Sequence, residues 1–424
     1  MTALALIAAY ALWLHLCNGR AGRQAGQLGL VVFAIGLLWA GVHQLELRES
    51  SPDGTYGSDA RYYYTGMLQV VGGNAPASSY LAPLFVSWGA WLLSTASTRH
   101  PFWVVLGNLG LYVVCTSSLY LALVTHLRSH RHTESLRIVE SPKFMLLSLV
   151  LALNGLVLWM VIREIKESLL LAILAVSVYW IEQSMRTRPL ALGIGVAAVA
   201  AGGGMWLLAR LRALGALLIA GYALFDIYGH LGKRSRLVAL LAVSLAMVPA
   251  LSSFSSVKAR LDAQRDLLGS VYPKEEATQF TRGAAAVPLS ALRFVLGPGP
   301  SRSLRQLLTK DVFVVSTRTG DVMIFLGACQ WWLLLAVAAV MAVSRRGQVL
   351  DWARQTSPLL LLSLMHLAPY CYVAAGSGDA RHRGVLYVLL HLPLALLLCL
   401  PKGRQHPDGA GDPSPETAEA GRLP

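Results

Sequence analysis

Apolar and polar stretches alternate along this chain at a spacing that predicts membrane-spanning helices. The hydrocarbon core of a bilayer is about 30 Å thick, and a helix needs about 20 apolar residues to cross it. Runs long enough to cross predict eleven spans, at residues 1–17, 28–46, 102–126, 144–162, 168–183, 190–208, 213–229, 236–254, 322–343, 357–374 and 384–400. A shorter run at residues 81–96 contains Pro83 and Gly89 and predicts a re-entrant or interfacial helix. The expected fold is an all-α, polytopic membrane helix bundle with about 11 transmembrane helices and further interfacial or re-entrant helices on its outer face.

Composition agrees with this pattern. Hydrophobic residues make up 55% of the chain and charged residues 14%, and the mean hydropathy is +0.54. These values are far from those of a soluble domain, so we expect a multi-pass protein of the cell inner (plasma) membrane. Residues 1–400 predict a single transmembrane domain that includes two polar outer segments, 47–101 and 255–321. The tail at 401–424 is rich in Gly, Pro, Asp and Glu and predicts a disordered cytoplasmic segment.

The distribution of arginine and lysine favours an N-terminus outside the cell, because short cytoplasmic loops are enriched in these residues. The two polar segments and the short loops 163–167, 210–212 and 376–383 then share the outer face. Within the second polar segment, residues 256–270 predict an amphipathic helix. The sequence at 291–300 predicts a helix that lies on the membrane and ends at its glycine and prolines.

The net charge of +14 divides between inner loops and this outer face, where it could hold an anion. Nothing resembles a basic, aromatic nucleic-acid surface, so no nucleic acid is expected as a partner. The five cysteines have no metal-like spacing and predict neither a zinc site nor a disulfide framework. The sequence patterns of ATP-driven pumps, zinc proteases and α/β-hydrolases are missing. We expect no cofactor, although use of a divalent metal stays open.

The first candidate for chemistry is the stretch from Asp59 to Tyr63. In a helix, Tyr62 and Tyr63 lie three and four residues after Asp59, on the same face. A carboxylate can accept a hydroxyl proton, and aromatic rings stack on the apolar face of a sugar. An interfacial helix whose tyrosines belong to the aromatic belt of the membrane explains the same pattern.

Two basic loops form the other candidates. Arg163 and Lys166 could bind the phosphates of a lipid-linked donor, or the turn could be a solvated one in which Arg163 pairs with Glu167. Arg381, His382 and Arg383 offer three donors to a diphosphate, or they could anchor the protein at the membrane interface.

The interiors of the spans contain few charges. Glu182 and Asp226 lie near the ends of their predicted spans. His126, His130 and His132 form a tract among arginines on the predicted inner side, and this pattern is typical of a solvated loop.

The Asp59–Tyr63 sequence, the charged turn at 163–167 and the basic loop at 378–383 resemble motifs of the multi-spanning glycosyltransferases of the GT-C type and of related bacterial polysaccharide polymerases. The resemblance implies a polyprenyl-phosphate-linked sugar donor, a glycan or lipid acceptor, and transfer at the outer membrane face. The chain departs from that pattern because its acid follows the second span and because it has no Asp-Glu or Asp-x-Asp pair. A metal-dependent version of the reaction is therefore in doubt.

Three function classes follow. In an inverting transferase or polymerase of cell-envelope glycan assembly, Asp59 is the catalytic residue, and the substrate-binding residues are Tyr62, Tyr63, Arg163, Lys166, Arg381, His382 and Arg383. The alternative is a transporter or flippase of a lipid-linked sugar, which needs the same phosphate contacts but no catalytic acid. Transporters carry ionisable residues at broken helices within the membrane, and the scarcity of charge inside these spans favours the transferase. In a non-enzymatic membrane scaffold none of these charges matters.

Overall fold

The structure is a computed structural model that describes residues 2–51, 54–55, 57–75, 82–230, 286–297, 299–309, 317–373 and 380–401. The described part of the chain is helical and contains no strand. Its seventeen helices are α1 (Thr2–Cys17), α2 (Gly19–Ser50), α3 (Gly57–Val71), α4 (Pro83–Thr95), α5 (Phe102–Ser129), α6 (Thr133–Val139), α7 (Pro142–Ala152), α8 (Gly155–Val161), α9 (Glu167–Thr187), α10 (Leu190–Ala209), α11 (Ala213–His230), α12 (Ala286–Leu296), α13 (Pro300–Thr309), α14 (Arg318–Ser344), α15 (Arg346–Gln355), α16 (Ser357–Val373) and α17 (Ala380–Cys399).

Six of these described helices, α2, α5, α9, α10, α14 and α17, are long and apolar enough to cross a membrane. The pair α7 and α8 passes the same test as one bent span, while α1, α11 and α16 contain shorter apolar helices. The prediction of a helical membrane protein is confirmed, but eleven spans are not. The predicted span 236–254, the predicted helix 256–270 and tail residues 402–424 lie outside the described residues.

Helix α5 lies at the centre of the bundle, because it is apolar around its whole circumference. It packs against α1, α2, α4 and α9, and 89% of its apolar window is buried. Its close approach to α2 depends on glycines: a Cβ at Gly29 would lie 2.7 Å from Val113. The hydroxyls of Tyr112 and Ser117 donate to backbone carbonyls of Ala152 and Ala25, which satisfies both polar groups inside the bundle.

The sequence predicts one continuous span at 144–162, but the helix breaks between α7 and α8 with a bend of 59°. Asn154 causes the break, because its side-chain oxygen accepts from the Leu156 amide at 2.9 Å and caps α8. Its side-chain nitrogen donates to the Gly327 carbonyl of α14 at 3.1 Å. The polar groups at the break are thus satisfied by a neighbouring helix, as a broken membrane helix requires.

The bundle has two polar ends. Residues 159–167, 210–212, 294–297, 317–320 and 382–387 meet at one end, which we call the Arg163 end. Residues 126–140, 182–186, 222–228 and 345–357 meet at the other, which we call the Glu182 end. Segments predicted to lie outside therefore gather at the Arg163 end, and basic loops predicted to lie inside gather at the Glu182 end. Helix α12 stops at Leu296 as predicted, and Gly297 follows with a φ of +66°.

Candidate functional site

The turn that carries Arg163 connects α8 to α9 and is held by a buried amide of α5. Asn108 donates from its side-chain nitrogen to the Arg163 carbonyl at 2.7 Å and to the Ile165 carbonyl at 3.3 Å. The Arg163 guanidinium lies 5.3 Å from the centre of the Trp159 ring, within the range of a cation–π contact. The arginine is therefore on a backbone that the bundle fixes, with its side chain partly exposed at the end of the bundle.

Glu167, at the start of α9, was expected in one alternative to pair with Arg163 of its own turn, but it contacts an arginine of another turn. Its carboxylate is buried and lies 3.7 Å from the Arg212 guanidinium of the short turn between α10 and α11. Arg212 in turn lies 3.0 Å from Nε2 of His382 on α17. Because arginine only donates, Nε2 of His382 is the acceptor in this contact. The contacts of Glu167 and Arg212 thus join three turns that are distant in sequence.

Arg383 lies one residue further along α17, and its side chain is 8% exposed. Its guanidinium lies 5.7 Å from the centre of the Phe294 ring on α12. The ring of Tyr387, one turn later, stacks on Trp331 with a centroid distance of 3.9 Å. Trp331 on α14 donates to the Val295 carbonyl at 2.7 Å, and this bond ties α12 to α14 beside the start of α17. Helix α12 therefore covers Arg383 and packs against the bundle.

The start of α14 completes the Arg163 end. Thr317 caps this helix by accepting from the Gly320 amide at 3.1 Å, and its hydroxyl lies 3.1 Å from Nδ1 of His43 on α2. The Glu46 carboxylate accepts from the Arg318 and Thr319 amides. His43 packs edge-on against Trp159 at 5.2 Å, so the end of α2 contacts the same tryptophan as Arg163.

The electrostatics of the Arg163 end favour an anion. Among the described residues of this end, the basic side chains outnumber the carboxylates, with Arg163, Lys166, Arg210, Arg212, Arg318 and Arg383 against Glu46, Glu164, Glu167 and Asp321. Helices α9, α11, α14 and α17 begin here, and the free amides of a helix N-terminus can donate to an anion. Guanidinium groups and helix N-termini together suit a phosphate.

Asp59 lies in the first turn of α3 and is partly exposed. Helix α3 packs on α4, where Tyr63 contacts Phe85 edge-on at 5.2 Å and is buried, while Tyr62 is 48% exposed. The hydroxyl of Tyr64 donates to the Arg99 carbonyl, which ties α3 to the loop before α5.

That loop borders a largely apolar cavity of about 610 Å³, lined among others by Leu45, Arg48, His100, Phe102 and Trp103. Burial, and secondarily the charge of Arg48, lowers the pKa of His100 below its ordinary value. His100 is therefore neutral at physiological pH, and Arg48 is the cation at this cavity.

The structure brings together part of the predicted site. Helix α8, which leads into the 163–167 turn, packs against the first turn of α17, since a Cβ at Gly384 would lie 3.0 Å from Sδ of Met160. The side chain of Arg381 lies outside the described residues. That Asp59 lines one cavity together with Arg163 and Arg383 stays a prediction. The sequence left open a solvated turn in which Arg163 pairs with Glu167. In the structure, the Glu167 carboxylate is buried and pairs with Arg212. Arg212 was expected on the outer face from the sequence, but no pattern there indicated a role for it at the site.

A second polar cluster, at the Glu182 end, was missed. Glu182 of α9 is 1% exposed and accepts from Arg186 of the next turn and from the Tyr222 hydroxyl of α11. Arg186 also donates to the Asp226 carboxylate at 2.9 Å. Nδ1 of His126 on α5 lies 3.2 Å from Nη2 of Arg186 and 3.5 Å from Oε2 of Glu182. The expectation that His126 belongs to a solvated loop is wrong, because its side chain is buried in this cluster.

The spacing of Glu182 and Arg186, four residues apart in one helix, was the available signal for an ion pair. The cluster borders a cavity of about 520 Å³ that also contacts His130, Phe225 and Tyr228. Among the described residues, no group of three or more His, Cys, Asp and Glu side chains could hold a metal ion. No protein-family model, curated protein or solved structure matches this chain.

Proposed function

We propose that the protein is a membrane glycosyltransferase or polysaccharide polymerase that uses a polyprenyl-(di)phosphate-linked sugar donor in cell-envelope glycan assembly. One observation carries this proposal. Turns that are distant in sequence join through Glu167, Arg212 and His382, and they gather Arg163 and Arg383 at one end of an apolar bundle. An excess of cations on rigid turns at the end of a membrane bundle suits a lipid-linked phosphate.

In the proposed reaction, the acceptor oxygen forms a bond to the anomeric carbon of the donor sugar, while the bond from that carbon to the phosphate oxygen breaks. Asp59 takes the proton of the acceptor hydroxyl. The leaving phosphate gains negative charge, and Arg163, Arg212 and Arg383 stabilise it. Stabilising this charge is the larger task, because preorganised cations act most strongly in a site that excludes water.

Tyr62 is the ring that the proposal assigns to the sugar, since it is exposed beside Asp59 on the same helix. The substrate role of Tyr63 stays part of the proposal, although its ring already packs on Phe85. Lys166, Arg381 and His382 remain candidate donor contacts, with His382 acting through Arg212.

The apolar cavity at Leu45, Phe102 and Trp103 supports a lipid-linked donor, because an isoprenoid chain needs an apolar surface. We also propose the number of spans and their orientation. The protein has eleven spans in the plasma membrane, with the N-terminus and the Arg163 end outside, so the donor is used on the outer face.

A flippase for a lipid-linked sugar is the second candidate, and two observations favour it. The α7–α8 span is broken, and Glu182, Arg186 and Asp226 are ionisable groups buried between helices at the Glu182 end. Both features occur in transporters. They weaken the argument from sequence that scarce charge inside the spans favours a transferase.

The experiment is glycan transfer in proteoliposomes that contain the full chain, with a polyprenyl-linked donor supplied on the outer leaflet so that no flipping is needed. The proposal expects a new glycosidic bond whose formation depends on Asp59. Movement of the donor between leaflets without any new glycosidic bond would replace the transferase with the flippase.

A further inference from the structure

Helix α13 (Pro300–Thr309) lies beside the start of α14 at the Arg163 end and packs against it. Its least exposed side chains are those of Ser303, Gln306 and Leu307, which share one face. Gln306 donates from its side-chain nitrogen to the Asp321 carboxylate in the first turn of α14 at 3.1 Å. This face of α13 is therefore the one that contacts the bundle.

The exposed surface of α13 divides into an apolar strip and a basic strip. Leu304 and Leu308 lie one turn apart, and 39% and 73% of their surfaces are exposed. Arg302 and Arg305 are exposed on the neighbouring face, where Thr309 also lies. A short helix with leucines on one exposed face and arginines on the next is typical of a helix that lies in the interface of a membrane.

The position of α13 along the bundle agrees with such a location. Asp321, which holds α13, is in the first turn of a helix that is long and apolar enough to cross a membrane. Leu326 is exposed on that helix five residues further on, about 7.5 Å along its axis. At the same end, the Arg210 guanidinium lies 4.0 Å from the centre of the exposed Trp206 ring, and tryptophans are enriched at membrane interfaces. Helix α13 therefore lies near the level where hydrocarbon meets the lipid headgroups.

Helix α13 is connected to the helix that covers Arg383. Helix α12 ends at Leu296, and the linker to α13 begins at Gly297, where a Cβ would overlap the hydroxyl of Tyr387 on α17. Because this linker is short and closely packed at its start, α12 and α13 cannot move far from each other. A contact that holds α13 in place also restrains α12.

We propose that α13 binds the lipid surface at the Arg163 end, with Leu304 and Leu308 among the acyl chains and Arg302 at the headgroup phosphates. Lipid fits this exposed face because the helix packs on the first turn of a span, and because long basic side chains reach from an apolar face to the headgroups. The bilayer thereby holds α12 over Arg383. The inference concerns an interaction with lipid and does not depend on glycosyl transfer.

The test is fluorescence quenching at single positions of the full chain in proteoliposomes. The five native cysteines are replaced by alanine, and bimane is attached to Leu308→Cys or, on the basic face, to Arg302→Cys. Val340→Cys, at an exposed apolar position of the α14 span, is the lipid control. Lipids with brominated acyl chains should quench bimane at position 308 as strongly as at position 340. Aqueous iodide should quench it only at position 302.

Two results would overturn the lipid contact. Equal quenching by iodide at positions 302 and 308 would mean that both faces lie in water. Protection of position 308 from both quenchers would mean that another segment or a second copy of the chain covers the leucines. If the cysteine-free chain does not fold, a phospholipid with a diazirine on its acyl chain labels the unaltered chain, and absence of label from residues 303–309 overturns the proposal in the same way.

The restraint on α12 has its own readout, which is hydrogen exchange of residues 286–296 in proteoliposomes. Leu308→Asp puts a charge on the face assigned to the acyl chains, so it should release α13 and increase exchange in α12. Thr309→Asp places the same charge one residue later, on the basic face, and should exchange as the wild type. Equal exchange in the two variants would overturn the link between the bilayer and the cover of Arg383.

Discussion

The two ends of this bundle hold the same kinds of side chain in different ways. Among the described residues of the Arg163 end, six basic residues lie with four carboxylates, and four helices begin there. At the Glu182 end, one arginine is shared by two carboxylates, and all three side chains are buried. An excess of cations beside helix N-termini suits an anionic substrate, whereas a buried cluster of paired charges joins the helices that carry it. The arrangement of charge, more than the presence of charge, separates the two ends.

The supporting structure differs as well. The charges of the Arg163 end are on turns and first turns of helices, which Asn108 and Trp159 position. Those of the Glu182 end are on the sides of three packed helices. Loss of a charge at the Arg163 end should therefore change function more than stability, and loss at the Glu182 end should do the reverse.

The largest expected effect is on catalysis, from Asp59→Asn. This change keeps the size of the side chain and removes its basicity, and loss of a general base costs about 10²- to 10⁴-fold in rate. Single-turnover transfer in proteoliposomes measures the rate, and donor binding should be unchanged. Asp351→Asn is the matched control on an exposed acid. A fall in donor affinity equal to the fall in rate would mean that Asp59 binds the substrate and is not the base.

Arg186→Ala should be the most destabilising change at the Glu182 end. It leaves two buried carboxylates without their arginine, and breaking a buried ion pair costs about 3–5 kcal/mol. Arg128→Ala is the control, because the Arg128 side chain is 49% exposed where it pairs with Glu140. An exposed pair contributes at most about 1 kcal/mol. Equal losses in the free energy of unfolding for the two variants would contradict the comparison.

Arg383→Ala should weaken donor binding and turnover together, because the phosphate contact exists in both the ground state and the transition state. A charged hydrogen bond contributes about 1.5–3 kcal/mol, so we expect roughly 10- to 100-fold weaker binding. Arg354→Ala, at an arginine whose side chain is 77% exposed, should bind as the wild type. Calorimetry with a polyprenyl phosphate measures both affinities, and a normal affinity in Arg383→Ala would remove this arginine from the site.

The smallest expected effect is on the stability that comes from packing α8, which follows the helix break, against α14. A Cβ at Gly155 would overlap the Met323 carbonyl of α14, so Gly155→Ala must separate α8 from α14. Overpacking of this kind costs about 1–3 kcal/mol. Gly195→Ala is the control, since nothing lies within 4 Å of its built Cβ. If both variants unfold at the same temperature as the wild type, α8 does not pack on α14 as described.

Hydropathy could predict the helices, because a run of apolar residues is a local property. It could not predict where helices continue past the membrane or where they break. Helix α2 begins at Gly19, before the predicted span at 28–46, because Gly22 and Gly26 let its first turns pack on His15. The α7–α8 break depends on Asn154 bonds to α14, which is distant in sequence.

The candidate site was predictable only where charges cluster within one turn. The basic turn at 163–167 and the basic residues 381–383, which were expected in a loop and lie in the first turn of α17, were visible in the sequence for that reason. The contact between Arg212 and His382 joins residues 170 positions apart. The partners His126 and Glu182 belong to different helices, and nothing in either sequence segment indicates the other. Such pairs follow from packing, which a single sequence does not reveal.

The most direct test of the central claim is to map where the donor phosphate binds. A polyprenyl phosphate with a photoreactive group next to the phosphate would be cross-linked to the full chain in proteoliposomes, and the labelled peptides identified by mass spectrometry. The account predicts label in peptides that contain residues 159–167 and 380–384, and loss of this label when excess unlabelled polyprenyl phosphate is added. Competed label confined to residues 126–130, 182–186 and 222–228 would contradict it, because the donor would then bind at the Glu182 end.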